Sequence, residues 1–268
     1  MKCLIIFALF FAVASAYSVA NPVLADTDGP NGRITGGEKA AERQFPYQVG
    51  LSLRKDSSTA LWCGGSLIST MWVLTAAHCT DGIPEILVYL GATVRLSPYI
   101  RYSVTQDNVI IHEGWDSKAV VNDIALIRIP FTSFTGRINR VRIPSLTGTQ
   151  SLYTGESAIA SGWGFTSDSS STVSNDLMYT ILEVISNEDC AKSYGSSVTS
   201  TNICVATPNG SSTCEGDSGG PLVLESSKIL IGVTSYGAIE GCELGFPAAF
   251  TRVSSYLDWI KEHTGVEY

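Results

Sequence analysis

Cys214-Glu215-Gly216-Asp217-Ser218-Gly219-Gly220-Pro221 is the stretch on which the reading of this chain turns. A serine hydroxyl is a poor nucleophile near neutral pH and needs a base at its side. It also needs backbone N–H donors aimed at the oxygen that becomes negative when it attacks a carbonyl. Glycines on both sides of Ser218 let the main chain turn sharply and bring such donors close. Alone, the run is an ordinary Gly/Ser turn, so its companions decide. Thr75-Ala76-Ala77-His78-Cys79 sets a histidine beside a cysteine, and Asn122-Asp123-Ile124-Ala125-Leu126 sets an aspartate at the mouth of an apolar run. Either residue alone is more simply structural; together the three supply nucleophile, base and orienting carboxylate.

Around these motifs lie short β-branched or alternating runs punctuated by Gly, Asn, Ser and Asp. They cover 47–53, 86–90, 109–111 and 124–129, then 157–161, 181–185, 221–224 and 229–233. Many short strands with such punctuation predict a closed or sandwiched all-β architecture. Only the end reads as helical: Tyr256, Leu257, Trp259 and Ile260 form one apolar face after a cap at Ser254 or Ser255. The Ser-rich run 166–172 reads as an exposed loop, and His112 as a strand-end or loop residue. Gly216 to Gly220 also fits the G-x-S-x-G elbow of α/β-hydrolases, which is followed by an acid and then a histidine. Asp258 and His263 do follow, but both lie on the one short helix, and the strand–helix alternation of that fold is missing.

The 268 residues are 44% hydrophobic and 16% charged, which describes a globular chain forming one large domain or two small ones packed together. With 17 Lys+Arg against 25 Asp+Glu, a net charge of −8 and a pI near 4.9, it lacks the basic face of a nucleic-acid or anionic-membrane binder. Lys2, the apolar run 3–13 and Ala14-Ser15-Ala16 read as a signal peptide over 1–16, predicting a secreted, extracellular protein. The run is too short for the ~20 residues of a membrane span. Beyond it stand six cysteines, Cys63, Cys79, Cys190, Cys204, Cys214 and Cys242. Six allow 15 disulfide connectivities. Pairing neighbours would give Cys63–Cys79, Cys190–Cys204 and Cys214–Cys242, each worth roughly 3 kcal/mol. No pair has the close spacing of a zinc cluster, so no metal and no cofactor is expected.

Four motifs, Ile34-Thr35-Gly36-Gly37, Leu74 to Cys79, Asp123 to Leu126 and Gly216 to Pro221, together resemble the trypsin/chymotrypsin family of secreted serine endopeptidases, most like the chymotrypsins. The likeness runs from Ile34 to the C-terminus. It implies two packed six-stranded antiparallel β-barrels, about 34–145 and 146–268, with a C-terminal helix and an active site in the cleft between them. It also implies that Ser218 attacks the scissile carbonyl, that His78 passes the proton and that Asp123 orients His78. The N–H groups of Gly216 and Ser218 would form the oxyanion hole. Ser235 matches the serine that supports the aspartate, and the stretch from Thr234 to Gly237 would pair with substrate as a strand. Tyr236 departs from the family's commoner tryptophan.

The same resemblance implies a zymogen with a propeptide over 17–33, cut after Arg33 by a trypsin-like protease. The new Ile34 ammonium would then pair with Asp217 and order the oxyanion hole. Ser212 stands where trypsin-like enzymes carry the aspartate that binds Lys or Arg. Gly237 should leave the pocket entrance open, and Ala248 replaces a glycine and makes the pocket shallower. Chymotrypsin-like cleavage after Phe, Tyr, Leu or Met is expected, with elastase-like or broad collagenolytic preference as alternatives. A catalytically silent homologue acting by binding is the alternative of a different class. Partners implied are protein or peptide substrates and protein inhibitors, acting on a monomer. The calcium loop of some relatives is not expected, since 90–101 contains no carboxylate. Glu215 either repels acidic residues near the cleaved bond or is a solvated surface group, and Asn209 heads a glycosylation sequon.

Overall fold

The short runs become two curled antiparallel sheets in this computed structural model, which describes residues 34–56, 60–146 and 151–268. The expected signal peptide and the propeptide up to Arg33 lie outside the described residues. The strands of the first half are β1 (Glu38–Lys39), β2 (Gln48–Arg54), β3 (Ala60–Leu67), β4 (Trp72–Thr75), β5 (Glu85–Leu90), β6 (Ile100–Thr105), β7 (Val109–Ile111) and β8 (Ala125–Arg128). Those of the second half are β9 (Ser157–Gly162), β10 (Met178–Ile185), β11 (Asn202–Val205), β12 (Pro221–Leu224), β13 (Leu230–Tyr236) and β14 (Ala248–Arg252).

The first sheet runs β6-β5-β2-β3-β4-β8-β7. One 3-10 turn, Gln106–Asn108, separates β6 from β7, so a single bent stretch of chain borders both edges and curls the sheet. The second runs β10-β11-β14-β13-β12-β9, and β9 pairs back onto β10 to close a six-stranded barrel. Closure removes the unpaired edges that would otherwise template aggregation. β1 crosses over and adds to β10, pairing Glu38 with Tyr179.

Strand periodicity decides what is buried. Along β10, Met178, Thr180, Leu182 and Val184 are buried, while Ile181 and Glu183 are exposed. Leu182 and Val184 meet Ile203, Leu222, Ile231 and Phe250 inside the barrel. Each such fully buried side chain contributes about 1.5–3 kcal/mol. Of the 15 pairings the cysteine count allows, the chain forms the neighbour set Cys63–Cys79, Cys190–Cys204 and Cys214–Cys242.

Two helical expectations need correction. Helix α1 (Asn187–Tyr194) was not expected, because only Cys190 on it is buried and so it has no apolar stripe. Its signal was the cap: Ser186 accepts the Asp189 N–H, and Glu188 and Asp189 fill the first turn, where they complement the helix dipole. The C-terminal helix α2 (Leu257–Thr264) buries Leu257, Trp259 and Ile260 as expected, but neither Ser254 nor Ser255 caps it. The 3-10 turn Val253–Tyr256 feeds it instead, and Gly265 in the left-handed region ends it. No helix among the described residues is long and apolar enough to cross a membrane.

Candidate active site

His78 sits on the 3-10 turn Ala77–Cys79 that follows β4, and the Cys63–Cys79 disulfide ties that turn to β3. Asp123 precedes β8 and is 1% exposed. A carboxylate so buried needs donors on its oxygens. The His78 N–H donates to Oδ1 at 3.0 Å; His78 Nδ1 and Ser235 Oγ reach Oδ2 at 2.8 and 2.7 Å. Thr251 Oγ1 donates to the Asp123 carbonyl at 2.7 Å, fixing the backbone as well. A ring nitrogen facing a carboxylate carries the proton, which leaves Nε2 of His78 as the acceptor.

The Ser218 turn is fastened on both sides. Gly64 N–H donates to the Ser218 carbonyl at 2.7 Å from β3, and Gly219 N–H donates to the Thr234 carbonyl at 2.8 Å on β13. Gly219 has φ of 76°, and a Cβ there would collide with Thr75 Oγ1 and the Gly64 carbonyl oxygen. Only glycine tolerates both the torsion and the close approach. Ser218, Gly216 and His78 line one cleft of about 550 Å³. Among the described residues, the N–H groups of Gly216 and Ser218 donate to no protein acceptor, and the Ser218 hydroxyl has no hydrogen-bond partner.

A second lobe, about 440 Å³, meets the first at Ser218 and is walled by Thr213, the segment 234–242, Phe165 and Asp168. Tyr236 and Gly237 line it; a Cβ at Gly237 would meet nothing within 4 Å, so that entrance is open. Ser212 and Ala248 do not line it. Ser212 is 4% exposed; its N–H donates to the Thr35 carbonyl at 3.1 Å, Thr35 Oγ1 donates to the Ser212 carbonyl at 3.1 Å, and the Ser212 hydroxyl donates to the Thr213 carbonyl at 2.9 Å. Ala248 is buried on β14 opposite Val205.

Two carboxylates on this wall escaped the sequence reading, Asp168 and Glu240. Asp168 accepts the Cys242 N–H at 2.6 Å and the Glu243 N–H at 3.2 Å, while its own N–H donates to Glu243 Oε2 at 2.7 Å. The Ser-rich loop is thereby clamped to the pocket wall. A lone acid in a run of serines was the one available signal. Glu215 is exposed and lines both lobes.

Asp217, next to Ser218, is fully buried. Its oxygens accept the N–H groups of Gly164 at 2.7 Å and Cys214 at 3.0 Å, yet burial still pushes its pKa up to about 7. Ile34 is likewise fully buried, with φ of 48°, a torsion that a β-branched residue resists.

The remaining histidines stand apart from this chemistry. His112 packs between Tyr256 and Trp259. His263 packs on Trp259 and lies 3.4 Å from Glu113, which disposes of the α/β-hydrolase order. Cysteines converge with His78 at one place and with Asp168 at another, but those sulfurs are joined in disulfides and offer no thiolate to a metal. Asn209 of the sequon is exposed.

Residues 34–260 match the family model described as Trypsin. "Serine protease 1" of Drosophila melanogaster is 43% identical over 237 residues, covering 88% of each chain. "Collagenase" of Hypoderma lineatum is 40% identical over 268 residues, covering 99% of each. A solved structure of HL collagenase superimposes with a TM-score of 0.81 at 38% identity, over 87% of this chain and 100% of that one.

Proposed function

The chain belongs to the trypsin family of serine proteases and is a serine endopeptidase, and from that premise we propose that His78, Asp123 and Ser218 carry its reaction. The observation that carries this reading is the twofold grip of buried Asp123 on His78, across the cleft that Ser218 also lines. Ser218 Oγ attacks the scissile carbonyl while His78 Nε2 takes its proton. The N–H groups of Gly216 and Ser218, which meet no protein acceptor among the described residues, hold the oxyanion. Collapse of the tetrahedral intermediate expels the amine, which receives the proton from His78 and leaves an acyl-Ser218. Water, deprotonated by the same imidazole, releases the acid.

Cleavage after Arg33 switches the enzyme on. The freed Ile34 ammonium pairs with Asp217 and stabilises the turn that carries both oxyanion donors. A buried carboxylate with two amide donors and a pKa raised to about 7 is a site waiting for a cation. Three disulfides support an oxidising, extracellular destination.

The acyl-side lobe favours large apolar or aromatic side chains: its entrance is open at Gly237, Tyr236 supplies an aromatic wall, and Asp168 already spends both oxygens on main-chain N–H groups. A second reading, broad collagenolytic specificity, is favoured by the 40% identity to a relative named collagenase over 99% of both chains. Profiling a mixed peptide library separates the two, and a Lys/Arg preference would reject both. For the reaction itself, the Arg33-cut protein should be labelled stoichiometrically at Ser218 by a fluorophosphonate. Ser218→Ala should lose on the order of 10⁶ in kcat. An unlabelled, correctly cut protein would leave a silent binding homologue.

A further inference from the structure

Of the two lobes meeting at Ser218, His78 lines only the one opposite Tyr236 and Gly237. The leaving amine collects its proton from His78, so this lobe receives the leaving-group side of the substrate. Two side chains of fixed charge line it, Glu215 and Arg95. Arg95 comes from the segment between β5 and β6, and its backbone N–H donates to the Asn175 carbonyl at 2.7 Å. Its guanidinium lies 5.1 Å from the centre of the Trp62 ring. Nε donates to the Ser174 carbonyl at 3.1 Å, and Nη2 reaches Asn175 Oδ1 at 3.5 Å.

Those partners are all neutral. No carboxylate among the described residues lies within ion-pair distance of Arg95, although the chain carries a net charge of −8. Stacking and the Ser174 bond hold the planar fork in place, so little side-chain freedom is lost when an anion arrives. We infer that Arg95 is a specificity-determining residue that recognises a carboxylate on the leaving-group side of the cleaved bond. Glu215 also lines the acyl-side lobe and borders Gly216, so it governs the immediate neighbourhood of the scissile bond. Arg95 acts further along the leaving chain. The inference rests on the peptidase reading of the cleft.

The test uses the Arg33-cut enzyme and amidated peptides alike on the acyl side, with Glu or Gln at the second or third residue after the cleaved bond. The same peptides ending there in a free carboxylate or an amide ask whether a chain terminus serves equally. An activated ester with no residues beyond the cleaved bond gives the reference rate for every variant. The wild-type kcat/KM ratio of Glu to Gln should be about three- to tenfold at low salt and shrink as salt screens the pair. Arg95→Gln should bring that ratio to one or below, and Arg95→Lys should keep part of it, which a purely structural role would not produce. A wild-type ratio of one, or an Arg95→Gln ratio unchanged from wild type, with normal ester hydrolysis, overturns the inference alone. A wild-type enzyme that fails on the ester overturns the peptidase reading and the inference with it.

Discussion

Ser235 Oγ donates to Asp123 Oδ2 at 2.7 Å, on the same oxygen that faces His78 Nδ1 at 2.8 Å. The bond ties β13 of the closed barrel to the loop before β8 of the other sheet, so the carboxylate is aimed from both halves. Asp123→Asn would present an amide where an acceptor is needed and favour the wrong histidine tautomer. A loss on the order of 10⁴ in kcat is expected, the scale known for this constellation. Ser235→Ala leaves both His78 contacts and should cost only about tenfold, the loss of one hydrogen bond to a charged group. Steady-state kcat on a peptide substrate checks both, and Asp123→Asn retaining a tenth of wild-type turnover would contradict the assignment.

Asp217 predicts different pH behaviour before and after cutting. Its ordinary pKa is 3.8 and burial raises it to about 7. Below the lower value the carboxyl is protonated in folded and unfolded chains alike. Between the two values the unfolded chain releases the proton and the folded chain keeps it, so stability falls as pH rises through this window and levels above about 7. In an uncut Arg33→Gln background, Asp217→Asn should therefore gain melting temperature relative to Asp217 between pH 4 and pH 8. In the Arg33-cut chain, the proposed pairing with an Ile34 ammonium would lower the pKa and remove that penalty. Parallel melting curves for the two uncut proteins across this range would refute the account.

What the sequence disclosed and what it hid have separate physical causes. The tight turn around Ser218 was legible because it has no room for a Cβ at Gly219, a demand that writes itself into neighbouring residues. Strands β5, β7, β9 and β12 were legible from their apolar runs. β3 was not, since it holds Gly64, where a Cβ would come within 2.8 Å of the Gly220 backbone. That glycine answers to a contact far along the chain, and locally it looks like a turn. The pocket wall was opaque for the same reason: Asp168 meets Cys242 and Glu243 only after folding, and Arg95 meets Trp62. Helix α1 hid because it turns almost nothing apolar inward.

Glu215 lines both lobes and is exposed, so its field reaches substrate residues on either side of the scissile bond. Removing the charge should relax discrimination against acids placed next to that bond. Glu215→Gln should raise kcat/KM for peptides with Asp or Glu there by about two- to fivefold over neutral ones, the range of a solvent-screened pair. Unchanged ratios between acidic and neutral peptides would make Glu215 a bystander.

Asp168 offers the sharpest separation of binding from chemistry. It hydrogen-bonds to none of His78, Asp123 or Ser218, yet its carboxylate takes two main-chain N–H groups from the wall of the acyl-side lobe, and its own N–H donates to Glu243. Cys242 is also tied through its disulfide to Cys214, at the start of the Ser218 turn. Breaking the clamp frees the wall while the disulfide still holds its base. Asp168→Ala should thus raise KM by about three- to tenfold, the loss of partly exposed hydrogen bonds to a charged group, while kcat falls by less. Asp168→Asn keeps one carbonyl acceptor but turns an NH₂ toward the second N–H, so it should lie between wild type and alanine. KM and kcat measured on a matched series of Phe, Leu and Ala peptides decide the matter. A parallel loss of kcat with KM unmoved would mean that the clamp supports the nucleophile turn and not the pocket.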